Sequence, residues 1–145
     1  MMKLYLDNCM FNRPFDDQSN IKILLESEAK LNIQEKIRMG IYELVWSYIL
    51  DYENEKNPFR ERREQIRKWK KYANFNIEAT DHILHLAHSF NELNLKRFDA
   101  LHIACAVVAG TDYFLTTDNG ILKKSGFIKD IRVKDPINFI RETLT

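Results

Sequence analysis

Apolar positions along the chain change their spacing in a regular way, and the changes mark alternating strands and helices. Lys3 to Leu6 (KLYL) is a short run that predicts a strand. From about Ser19 the spacing turns helical, with Ile21, Leu24 and Leu25 on one side, and it continues past Asn32 to Met39. Gly40 stands where a helix-terminating glycine belongs. Ile41 to Trp46 (IYELVW) predicts a second strand, with Ser47 suited to cap the helix that follows. Asn57 and Pro58 predict the start of another helix, Asn as cap and Pro in the first helical position. Phe75 to Ala79 predicts a third strand, and Thr80 caps a helix that aligns Ile83, Leu86, Ala87, Phe90 and Leu93. A helix from about Phe98, stopped by Gly110, leads to a strand at Tyr113 to Thr116. Ile131 to Val133 predicts the last strand, and Asp135-Pro136 a closing helix.

Strands that alternate with helices predict an α/β fold, a mainly parallel sheet covered on both faces. In open sheets of this kind ligands bind at the carboxyl ends of the strands. Asp7 ends the first strand and Asp118 the fourth, Asp99 lies in the first turn of the helix before the fourth, and Glu53 lies nearly two turns beyond Ser47. Four acids from four segments are therefore expected above one edge of the sheet. Carboxylates crowded in a cleft repel one another, and a cation relieves that repulsion. Hard oxygen donors without Cys or His select Mg²⁺ or Mn²⁺ over zinc. Such a site with an open face for phosphate suits the activation of water in phosphodiester hydrolysis. Each acid also has a plainer reading: Asp99 as a helix-start charge, Asp7 and Asp118 as turn formers, and Glu53 as one of several solvated acids beside Asp51 and Glu55. Only the set points to a site.

Composition narrows the class. The chain has 145 residues, 45% of them hydrophobic and 30% charged, with a net charge of +1. That predicts one folded domain over residues 1–145 and excludes a wholesale basic DNA binder, though not a local basic face. Two cysteines, Cys9 and Cys105, are too few for a disulfide scaffold and suggest a reducing compartment. An acid interrupts the N-terminal apolar residues, so no signal peptide is expected. The longest apolar run, Ala100 to Ala109, is broken by His102 and falls short of the roughly 20 residues that span a bilayer. The expectation is a cytoplasmic protein with no membrane association.

The segments KLYLDNC, WSYILDYENEKNP and RFDALHIACAVVAGTDYFLTTD resemble the acidic motifs of the PIN domain, the nuclease fold of many VapC-type bacterial and archaeal toxins. The most specific part is Asp99-Ala100, Ala104 and Ala106, followed by an apolar strand that ends Thr116-Thr117-Asp118. The resemblance covers nearly the whole chain. It implies a three-layer α/β/α fold with about five strands ordered 3-2-1-4-5, and metal-dependent cleavage of RNA. It further implies Mg²⁺ or Mn²⁺ held by Asp7, Asp99 and Asp118, with Glu53 binding metal or orienting the attacking water. Asn8, Ser47, Thr116 and Asn119 stand in supporting positions. Two positions depart from the pattern: Asn8-Cys9 follow the first aspartate where the family has Ser or Thr and then Asn, and Asn119 stands where many relatives carry a further acid. The resemblance implies an RNA substrate and, if the chain is a toxin, an antitoxin protein as partners; the sequence leaves open whether a second copy joins it in a homodimer. The rival reading is a PIN-like module that binds RNA or protein without cleaving.

The segment RERREQIRKWKKY (Arg60 to Tyr72) offers Arg62, Arg63 and Lys70 for phosphate contacts, or else forms a solvated helix with internal ion pairs and Trp69 inward. Arg13 is a further candidate for RNA, in a loop that Pro14 would equally explain. His82, His85 and His88 fall on a polar helix face and read as solvated. His102 reads as a hydrogen-bonded core histidine, and both cysteines as packing thiols. A haloacid-dehalogenase-type phosphatase would need an acid at Cys9. A receiver domain would need its Asp after the middle strand and a Lys after the last, and a nucleotide binder a glycine-rich turn; neither pattern is present.

Overall fold

A computed structural model describes residues 1–12 and 17–144. Five strands, β1 (Met2–Leu6), β2 (Tyr42–Ser47), β3 (Phe75–Ile77), β4 (Tyr113–Leu115) and β5 (Arg132–Lys134), form one sheet in the order β3-β2-β1-β4-β5. Every pairing is parallel. Leu4 and Tyr5 face Leu44 and Val45 in register on one side, and Tyr113 and Phe114 on the other. These central residues are fully or almost fully buried, as expected for parallel strands covered on both faces.

Eight helices among the described residues make the connections: α1 (Asn8–Asn12), α2 (Ile21–Arg38), α3 (Tyr48–Glu55), α4 (Arg60–Trp69), α5 (Asp81–Asn91), α6 (Arg97–Val108), α7 (Asn119–Leu122) and α8 (Pro136–Thr143). The helices α5 and α6 pack together, and α8 returns from β5 to lie against α2. Helical crossovers carry the chain from β1 through β2 to β3, then back across the sheet to β4 and β5. The direction of winding therefore reverses between β1 and β4. That is the switch point at which α/β sheets open a crevice.

Local chemistry sets the element ends. Asn20, Ser47, Thr80, Asp118 and Asp135 each cap a helix with a side-chain oxygen. Gly40 and Gly110 adopt φ of 77° and 70° and close α2 and α6 with paired bonds of the Schellman type, Ile41 to Lys36 and Gly40 to Ile37, then Thr111 to Ala106 and Gly110 to Val107.

Two boundaries differ clearly from expectation. The helix predicted to open at Asn57-Pro58 begins at Arg60, with Phe59 in the capping position. Asn57 uses its side chain to accept from Phe59 N at 3.1 Å, and its carbonyl accepts from Arg63 Nη1 at 3.0 Å. The Asn-Pro pair thus shapes a turn that precedes the helix. The third strand is also shorter than predicted, ending at Ile77.

Candidate active site

Strand β1 delivers Asp7 to the switch point. Its own backbone N–H extends the ladder to Leu115 O at 3.0 Å. The carboxylate is buried, and its oxygens are fixed from three directions: Oδ1 accepts from Asn8 N at 2.8 Å, and Oδ2 accepts from Thr116 Oγ1 at 2.8 Å and Cys9 Sγ at 3.4 Å. Thr116 in turn accepts from Asp118 N at 3.0 Å. One buried hydroxyl thus ties the end of β1 to the segment after β4. Asp118 folds back on α7, where Oδ1 accepts from Gly120 N at 2.7 Å and Ile121 N at 3.3 Å. Its plainer reading as a turn residue is part of the truth, although only one of its oxygens is used this way. Asn119 is the exposed first residue of α7.

Glu53 reaches the same place from α3 through His102 on α6. The two are hydrogen-bonded through Nε2 and Oε1, and the same Nε2 lies 3.8 Å from Asp7 Oδ1. On its other side His102 Nδ1 meets Tyr5 Oη at 2.6 Å, and Tyr5 Oη meets Ser47 Oγ at 2.6 Å. The chain Ser47, Tyr5, His102, Glu53 therefore runs from the sheet interior to the acid cluster. Ser47 and His102 are both 0% exposed. A carboxylate only accepts, so Nε2 must donate to Glu53, and Tyr5 can serve His102 as donor or acceptor. Burial pushes Tyr5 well above the usual phenol range, which keeps it neutral. Burial alone would lower His102, but the bond to Glu53 and the charges of Asp7, Glu53 and Asp99 outweigh it, and its pKa is raised.

Asp99 completes the set. It sits one turn before His102 on α6, half-buried, and no hydrogen-bond donor among the described residues meets its carboxylate. Burial, with the charges of Asp7, Asp118 and Glu53 against a smaller opposing effect of His102, raises its pKa to about 6. All four expected acids are thus brought into electrostatic contact. Their side chains stop short of a closed ligand shell: among the described residues no three His, Cys, Asp or Glu are grouped to hold a metal ion. The reason is visible in the bonds above, since Asp7, Glu53 and Asp118 each lean on a protein donor. The donor chemistry nevertheless fits a hard divalent cation. A half-buried carboxylate raised to about 6 by burial and by the charges of Asp7, Asp118 and Glu53 is the condition that such a cation relieves.

The remaining candidates fall into place around this centre. Cys9 is a packing thiol, pushed up to about 12 by burial and by Asp7. Asp51, the alternative to Glu53, accepts from Trp46 Nε1 at 2.9 Å and Lys70 Nζ at 3.0 Å and is structural. On α4, Arg63 donates to Asn57 O and the Arg62 guanidinium lies 4.5 Å from the centre of the Phe59 ring, while Lys70, just past the end of α4, pairs with Asp51. Trp69 packs against the core, and Arg67 pairs with Glu64 at 2.8 Å. His82, His85 and His88 are exposed. Arg13 lies outside the described residues. The component that sequence reasoning missed is the part His102 plays in the site. The signal was its spacing, since Asp99 and His102 are three apart and share a helix face.

A doubly wound parallel sheet with four acids at its switch point defines an α/β protein built to handle charge at that edge. The chain belongs to the PIN domain family, whose model matches residues 5–126. A solved structure of similar fold is that of VapBC2 from Rickettsia felis bound to a DNA fragment from their promoter. It is 12% identical, has a TM-score of 0.58, and the match covers 92% of this chain and 98% of that one. No curated protein matches the chain significantly. No helix among the described residues is long and apolar enough to cross a membrane.

Proposed function

We propose that the protein is a metal-dependent ribonuclease that hydrolyses RNA phosphodiester bonds in the cytoplasm, as the toxin of a toxin–antitoxin pair. The observation that carries this reading is the convergence of Asp7, Glu53, Asp99 and Asp118 at the switch point of a PIN domain. PIN domains are generally nucleases that use divalent metal ions. Asp7, Asp99 and Asp118, with Glu53, would hold Mg²⁺ or Mn²⁺. When bound, such an ion lowers the pKa of water and stabilises charge on a leaving oxygen.

The chain's own residues supply the rest. Thr116 and the Asn8 N–H keep Asp7 pointed at the crevice at no cost in reorganisation. Glu53, oriented by the N–H of His102, is the group disposed to accept a proton from water. Hydrolysis that breaks the bond from phosphorus to the 3′ oxygen delivers a proton to that oxygen and leaves a 5′ phosphate and a 3′ hydroxyl. Arg62 and Arg63 on α4, Lys70 just beyond it, and Arg13 are candidates for the RNA backbone. Resemblance to VapC-type toxins, together with a fold like that of VapBC2, supports an antitoxin protein as partner; a homodimer is the other association considered. Incubation with single-stranded RNA and Mn²⁺, followed by end-group analysis, tests the reading. Shorter RNA with 5′ phosphates is expected, and intact RNA that remains bound would favour the non-cleaving module.

A further inference from the structure

Glu53 differs from the other three acids in how it is held. It comes from α3, its side chain is 27% exposed, and it is hydrogen-bonded to an imidazole that is itself 0% exposed. The imidazole has no freedom to turn: Nδ1 is held by Tyr5, Tyr5 is held by Ser47, and the Tyr5 ring stacks on Phe114 at 5.3 Å between centroids. The His102 and Tyr5 rings also meet in a T-shaped contact, at 5.7 Å between centroids and 69° between planes. A rigid donor therefore meets a long side chain that otherwise has several rotatable bonds. Residues that orient metal-binding side chains in this way commonly change metal affinity 10–100-fold when removed.

We propose that His102 is a positioning residue, anchored through Nδ1 to Tyr5 and Ser47, which holds Glu53 at the acid cluster and so completes the cation site. The proposal rests on the ribonuclease reading for its purpose, but its geometry is independent of catalysis. Tyr5 belongs to the device because its hydroxyl is what keeps His102 from turning. Ser47 has two duties, since the same oxygen accepts from Leu50 N at 3.4 Å and caps α3, the helix that carries Glu53.

The test measures Mn²⁺ binding calorimetrically in protein free of RNA, beside thermal melting in EDTA, for the parent, His102→Leu, His102→Gln and Tyr5→Phe. His102→Leu is expected to weaken Mn²⁺ binding at least tenfold. His102→Gln, which keeps an N–H donor toward Glu53, should recover part of the loss. Tyr5→Phe leaves no large cavity and should weaken binding severalfold, which keeps the idea testable if His102→Leu fails to fold. Variants that melt lower yet bind Mn²⁺ like the parent would overturn the proposal, because they would show a purely structural histidine. Tighter binding in His102→Leu would also overturn it, since His102 would then be withholding Glu53 from the ion. A parent that cuts RNA while His102→Leu keeps its Mn²⁺ affinity leaves the ribonuclease reading intact and removes this one. A parent that binds Mn²⁺ but cuts nothing, with His102→Leu losing affinity, does the reverse.

Discussion

Asp99→Asn separates a residue kept for the fold from one kept for a charge-dependent site. In the folded chain the Asp99 carboxyl sits at about 6, against 3.8 when unperturbed, because it is partly buried among Asp7, Asp118 and Glu53. A carboxyl whose pKa rises on folding binds more protons folded than unfolded between those two values. Stability therefore falls as pH climbs from about 4 to about 6, and the loss is complete above that. Two units correspond to about 3 kcal/mol at full weight, and Asp99 is exposed enough for water to screen about half of it, leaving about 1.5 kcal/mol. Asn removes this penalty but also surrenders a favourable first-turn charge worth about 0.5 kcal/mol. The net expectation is a metal-free variant more stable than the parent by about 1 kcal/mol at pH 7.5, or about 2–4 °C in melting temperature. At pH 4.5 the gain should vanish. Thermal melting in EDTA at both pH values measures this directly. A variant that melts lower than the parent at pH 7.5, or by the same margin at both pH values, would refute the reasoning.

Three further outcomes are expected. Thr116→Val removes the donor to Asp7 Oδ2 and the acceptor for Asp118 N, so chemical denaturation should show a loss of about 1–3 kcal/mol, and an unchanged midpoint would contradict the buried link. Replacing Arg62, Arg63 and Lys70 with Ala should lower the slope of log affinity against log salt for single-stranded RNA by up to about 2, whereas an unchanged slope would send the RNA to another face. Burial raises both Cys9 and Cys105 to about 12, so at pH 8 a thiol-specific chromogenic reagent should find no rapidly reacting cysteine until the protein is unfolded, and fast labelling of the native protein would contradict this.

Much of the fold was written in local pattern. Gly40 and Gly110 marked helix ends because only a positive φ completes those caps, and Ser47 and Thr80 marked helix starts because their oxygens serve N–H groups three residues on. Asn57-Pro58 misled because the same two residue types also build a turn, and the choice depended on Arg63, beyond the reach of a capping rule. The helices α1 and α7 span one turn or little more, too short to show a period. Asp7 and Asp118 were legible from topology, since strand ends share an edge whatever the packing, and Asp99 and Glu53 from their places on the helices beside that edge. What stayed hidden was long-range. Tyr5 and His102 lie 97 positions apart, and Glu53 and His102 lie 49 apart. No spacing rule pairs them, so His102 read as core when it is core and site together.

The four carboxylates at the switch point are proposed to serve a divalent cation with which the protein cuts RNA. The most direct test follows single-stranded RNA with the parent, Asp99→Asn and Asp118→Asn, in Mn²⁺, in Mg²⁺ and in EDTA. The parent should shorten the RNA in either metal and do nothing in EDTA, while both variants should lose activity by at least about a hundredfold, the scale of losing one electrostatic contact in the transition state. Cleavage that persists in EDTA, or variants that cut at the parental rate, would contradict it.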